Sequence, residues 1–132
     1  MKKLVLAIVV LAAAGVLIVR CGTRLPDEVQ PIAWNEAACG HCHMLIGDPA
    51  FAAQVITDEG EVVSFDDPGC AARYLRAHEG HVHRAWFHEG RGDRWLPIDD
   101  VGFVRVPASP MGSGMMAVPK STPGALTLED VR

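Results

Sequence analysis

The chain has 132 residues, 49% of them apolar and 21% charged, with twelve Lys and Arg against sixteen Asp and Glu for a formal net charge of −4. High apolar content with a small net charge excludes a disordered chain, the length suits one domain, and the acidic balance excludes a polybasic nucleic-acid binder.

Hydrophobicity is concentrated at the start. Met1-Lys2-Lys3 is followed by an apolar run from Leu4 to Val19, then Arg20 and Cys21, the layout of a secretory signal or signal anchor. Residues 1–21 are therefore read as a signal or membrane anchor, and the remainder as exported and extracytoplasmic, in a periplasm-like compartment. Three endings are open: an uncleaved anchor with Lys3 and Arg20 at the two interfaces, a lipoprotein whose Cys21 carries the lipid, or cleavage after Ala12-Ala13-Ala14. Arg20 departs from the small residue that normally precedes a lipidated Cys. Beyond residue 21 the net charge is −7.

Residues 22–36, with Pro26 and Pro31 and no sustained period, read as a tether; residues 37–132 read as the folded domain. Phe51 to Thr57 and Glu61 to Phe65 are β-prone runs around Asp58-Glu59-Gly60, which predicts a hairpin. Asp67-Pro68 supplies an N-cap and a first-position proline for a helix carrying Cys70, Ala71, Tyr74, Leu75 and His78 on one face, ended by Glu79-Gly80. Strands are expected from His81 to His88, Val101 to Val106 and Met115 to Val118. The order predicts an α+β fold: a small, largely antiparallel sheet with one main helix, a ββαβ unit followed by a shortened second β-rich half.

Cys39-Gly40-His41-Cys42-His43-Met44 gathers two thiols, two imidazoles and a thioether in six residues. Four readings compete. Cys39-Gly40-His41-Cys42 matches a thiol–disulfide oxidoreductase tetrapeptide, which needs a helix after the first Cys, whereas Gly47-Asp48-Pro49 interrupts the chain soon afterwards. Cys39-x-x-Cys42-His43 satisfies the c-type haem attachment pattern of an electron-transfer protein, but β-prone sequence follows it. Two thiols alone form a structural disulfide in an oxidising compartment. Thiolate plus thioether selects Cu(I), and the second Cys pair of a zinc site is missing.

Met111, in the Pro- and Gly-flanked loop Ser109 to Gly114, is read as a further thioether ligand, with a core-filling side chain as the alternative, while Met116 fits a core role. Cys70, in the first helical turn where free N–H groups favour a thiolate, is either a third thiol of the site or a small core residue. His78, His81, His83 and His88 fall within eleven residues and read as solvated side chains, with a weak copper or zinc surface as the alternative.

With these residues assembled the chain resembles the NosL family, the periplasmic accessory lipoproteins of nitrous-oxide reductase. The resemblance rests on Cys39 to Met44, Phe51-Ala52-Ala53-Gln54-Val55, Phe65 to Cys70 leading into Tyr74-Leu75, Trp95, and Pro110-Met111-Gly112, in family order from about residue 36 to residue 118. It implies a Cu(I)-binding chaperone, not an enzyme, that supplies copper to the reductase or its assembly machinery, with metal held by Cys39, Cys42, Met44 and Met111. Cys70 is the next choice of ligand. Three departures stand out: His43 occupies the family's Gly position, Arg20 spoils the lipidation box, and Pro119 to Ala125 takes the place of a second helix.

Overall fold

A central strand buried on both faces organises the molecule. The structure, a computed structural model, describes residues 5–6, 8–11 and 24–131. Strand β1 (Ala53–Thr57) is buried along its whole length. It pairs antiparallel with β2 (Val62–Phe65) in the predicted hairpin, Ala53 opposite Phe65 and Ile56 opposite Val62. Its other edge pairs with β3 (Val82–His88), and β3 with β4 (Trp95–Pro97), giving the order β2-β1-β3-β4. Strands β5 (Val101–Arg105) and β6 (Met115–Pro119) form a separate antiparallel pair. Strand β4 is absent from the sequence reading, because three residues bounded by Asp93-Arg94 and Ile98 show no alternation and are defined by their pairing with β3.

Helix α1 (Pro68–Ala77) begins as expected, with the Asp67 side chain accepting from the Gly69 N–H and Pro68 at the first position. It ends two residues before Glu79, with His78 as C-cap, and Gly80 takes the left-handed turn at φ +82°. The helix packs against β1, β2 and β6 and joins the two sheets. Phe87 of β3 meets Phe103 of β5 edge-on at 5.1 Å, and Phe65 packs against Tyr74 of α1 at 5.1 Å. Within Pro119 to Ala125, Pro119 ends β6 and residues 120–124 form turns, so the second half carries no helix there; a short 3-10 turn at Leu128–Asp130 closes the domain.

Part of the segment read as a tether lies on the sheet. Gln54, fully buried in β1, accepts from the Gln30 N–H at 2.7 Å and donates to the Gln30 carbonyl at 3.0 Å. The amide side chain thus copies a strand pairing and satisfies both backbone groups of Gln30. Asp27 reaches His83 and Arg84 of β3, each at 3.1 Å. Residues 12–23, including Arg20 and Cys21, lie outside the described residues, and so does most of the expected anchor. Among the described residues no helix is long and apolar enough to cross a membrane.

Candidate metal centre

Cys39 to Met44 folds as a tight knuckle. The Cys39 N–H donates to the Met44 carbonyl at 2.8 Å, the His43 N–H returns to the Cys39 carbonyl at 3.0 Å, and Ala38 and Leu45 form a bridge at its base. The turn closes because His43 adopts φ +63°, a left-handed conformation that an L residue with a Cβ takes at a cost of roughly 1–2 kcal/mol. The knuckle is tied to the edge of β2 by Gly40, whose N–H donates to the Ser64 carbonyl at 2.9 Å. A Cβ on residue 40 would run into the Val63 side chain. Glycine between the cysteines is therefore demanded by packing on β2. No helix follows Cys39, so the helix N-terminus that a thiol–disulfide active site uses is not present at this thiol.

The first turn of α1 brings Cys70 to this knuckle. The Sγ atoms of Cys39, Cys42 and Cys70 all lie within 4.8 Å of one another, with Cys39 and Cys70 buried and Cys42 half-buried. Metal–sulfur bonds of about 2.3 Å put sulfurs roughly 3.8 Å apart in a tetrahedral site and roughly 4.0 Å apart in a trigonal one. Closing the three onto one ion thus takes sulfur shifts below about 1 Å. The three cysteines form a cluster that can hold a metal ion, and the group contains no imidazole or carboxylate.

The three thiols differ in the direction in which their surroundings shift their pKa values. Burial works against ionising Cys39, but N–H groups of Cys42, Asp66 and His41 and the Cys42 thiol point at its sulfur, and together they bring its pKa below the ordinary thiol value. Cys42 is shifted up by burial and by its neighbour Cys39, against one N–H from Met44. Cys70 is raised strongly, by burial first and then by the charges of Cys39 and Cys42. The expectation that the helix start would favour a Cys70 thiolate is thus reversed. Its own N–H is taken by the Asp67 carbonyl at 3.0 Å, and the side chain sits in the core beside two other sulfurs.

Met44 and Met111 are exposed, at 58% and 41%. Met44 closes the knuckle through its backbone, and the Met111 N–H donates to Asp67 Oδ2 at 3.1 Å. The core methionine of the last strand is Met115, while Met116 is half-buried and packs beside Gly90. The histidines do not assemble into a site. His78 stacks on Tyr74 at 3.9 Å, His81 faces Asp58, and His83 faces Asp27. His88 departs from the solvated reading: it is buried edge-on against Trp95, because β3 is covered on both faces from Ala85 to His88.

Sequence reasoning read Asp67 as the helix N-cap but missed its second partner and the structural part of Asp66. Asp66 accepts from the Gly47 N–H at 3.1 Å while its own N–H serves Cys39, and Asp67 joins α1 to the Met111 loop. Adjacent acids before a helix advertise a cap and nothing about a second partner.

Fold and site define an α+β domain with a three-cysteine cluster held between a β-edge knuckle and a helix start. No protein-family model, curated protein or solved structure matches the chain.

Proposed function

We propose that this chain is an exported, membrane-attached Cu(I) carrier that delivers copper to a partner metalloenzyme, nitrous-oxide reductase or its assembly machinery, and that it performs no catalysis itself. The observation that carries the reading is the approach of the Cys39, Cys42 and Cys70 sulfurs to within 4.8 Å of one another. A donor group made of sulfur alone suits a soft ion of low coordination number. Zn²⁺ asks for a fourth N, O or S ligand, and the cluster brings neither imidazole nor carboxylate. Exposed Met44 and Met111 are thioethers of the type that completes a Cu(I) site.

Delivery by ligand exchange suits this layout. Cys42 is the half-exposed member of the three, so an incoming ion or a partner's thiolate meets it first. Cys39 and Cys70 lie behind it and hold the ion until a competing ligand has attached. The NosL resemblance supplies Cys39, Cys42, Met44 and Met111 as ligands and names the partner, the cluster adds Cys70, and the apolar run from Leu4 to Val19 carries the extracytoplasmic location.

Competition between the reduced protein and a Cu(I) chelator under anaerobic conditions tests the reading. About one Cu(I) per chain is expected, with Zn²⁺ bound far more weakly at comparable concentration. Tight zinc binding with weak copper binding overturns it.

A further inference from the structure

Asp67 does more than cap a helix. It is fully buried, and its two carboxylate oxygens serve two different segments. Oδ1 accepts from the Gly69 N–H at 2.7 Å and fixes the turn that presents Cys70; Oδ2 accepts from the Met111 N–H at 3.1 Å. The loop is seated against that same turn, since a Cβ on Gly69 would come within 2.7 Å of the Ser113 Cβ. Otherwise the loop is held by itself: the Gly112 N–H donates to the Ser109 carbonyl at 3.0 Å, and the Gly114 N–H to the Ser109 hydroxyl at 3.0 Å. Among the described residues, the remaining hydrogen bonds of residues 109–114 join the Ser109 and Ser113 hydroxyls within the loop or come from its neighbours Val106 and Met115. Gly112 and Gly114 take φ of +72° and +64°, so the loop is a preformed turn that packs on the helix start through Ser113 and, among the described residues, is hydrogen-bonded to it through one carboxylate oxygen.

We propose that Asp67 is a positioning residue of the sulfur site: it latches the Met111 loop to the helix start that carries Cys70, so that thioether and third thiol reach an ion as one unit. The inference rests on the copper reading above. Among the described residues no cation pairs with this buried carboxylate, and it offers two separate acceptor oxygens where a neutral cap side chain offers one. Asn is as good an N-cap as Asp, but it has one oxygen and a donor NH₂ where the second oxygen stood. Asp67→Asn therefore keeps one of the two bonds and sets a donor against the other N–H.

Two measurements on the full chain, solubilised in detergent, decide the matter. The first needs no metal: amide hydrogen exchange read residue by residue by NMR. In Asp67→Asn, and equally in Asp67→Ser, the Met111 amide is expected to exchange roughly tenfold faster while the amides from Ala71 to Leu75 keep their protection. An unchanged Met111 amide overturns the latch. The second is Cu(I) competition in a double-mutant cycle. Asp67→Asn alone and Met111→Leu alone should each weaken Cu(I) binding roughly tenfold, and the double variant should be no weaker than Met111→Leu. A loss from Asp67→Asn that persists in full beside Met111→Leu means that Asp67 acts through the helix alone, and overturns the proposal. Wild-type protein that binds no Cu(I) overturns the copper reading and the role of Asp67 with it; the metal-free exchange result tells that failure from failure of the latch. Asp67→Ser carries the test if Asp67→Asn does not fold.

Discussion

Two residues of the knuckle face opposite demands from the backbone. Gly40 must lack a side chain, since its Cα is pressed against Val63 of β2, and valine, stiff about χ1, has little room to yield. Gly40→Ala should destabilise the domain by about 1–3 kcal/mol through overpacking, seen as a fall of several degrees in the thermal midpoint. His43 shows the reverse: it bears a side chain at φ +63°, where glycine is the comfortable residue. His43→Gly should raise stability by roughly 1 kcal/mol, and Cu(I) affinity should stay within about twofold because neither imidazole nitrogen belongs to the sulfur cluster. Thermal unfolding and chelator competition on the same variant check both halves. The two positions also explain the likeness to other Cys-x-x-Cys motifs. A Gly after the first Cys matches a disulfide-exchange tetrapeptide and a His after the second matches a haem attachment pattern, while the local geometry accounts for Gly40 by contact and places His43 at a turn that favours glycine.

Between elements, the acidic pair before α1 acts as a junction. Asp66 is buried, its pKa raised by that burial first and then by the nearby charges of Asp67 and Asp48, although its hydrogen bond from Gly47 opposes the shift. A carboxyl whose folded pKa is raised binds its proton more tightly in the folded state. The stability it contributes is present below the unfolded value of about 3.9 and is lost as pH rises through the folded value. Asp66→Asn keeps an oxygen for the Gly47 N–H and removes the charge. The variant should therefore be more stable than wild type at pH 7, with the difference shrinking towards pH 3; paired thermal melts at the two values measure it, and a difference that grows on acidification contradicts it. A similar economy operates on the far side of the sheet, where buried Gln54 serves as a strand partner for Gln30 and keeps an irregular segment from burying unpaired backbone groups.

The whole molecule links the metal to folding. Residues 39 and 42 on the β2 edge and residue 70 in α1 share one cluster, so an ion bound there fastens the sheet to the helix and binds the folded chain in preference to the unfolded one. With free Cu(I) at a hundred times its dissociation constant, stabilisation is about 2.7 kcal/mol, which for a domain of this size is a rise of roughly 10 °C or more in the thermal midpoint. Cys70→Ala should lose more than half of that rise, because the remaining Cys39–Cys42 pair is local and stays available to an ion when the chain is unfolded. An equal rise in both proteins would remove Cys70 from the site. Much of this architecture is legible in the residues. Two β-prone runs around the Asp-Glu-Gly turn mark the β1–β2 hairpin, and Asp67-Pro68 marks where α1 starts, since these signals are local and read within a few positions. Cys39 and Cys42 declare themselves by spacing, which the knuckle preserves. What lies beyond that reach came from packing. Strand β4 exists through its pairing with β3, and His88 is buried because both faces of β3 are covered at that end. Cys70 joins the thiols across 28 positions of chain, with its pKa moved opposite to what a helix start alone implies. Periodicity and capping depend on neighbours along the chain, whereas desolvation and sulfur-to-sulfur approach depend on neighbours in space, and those are set when α1 closes over the edge of the sheet.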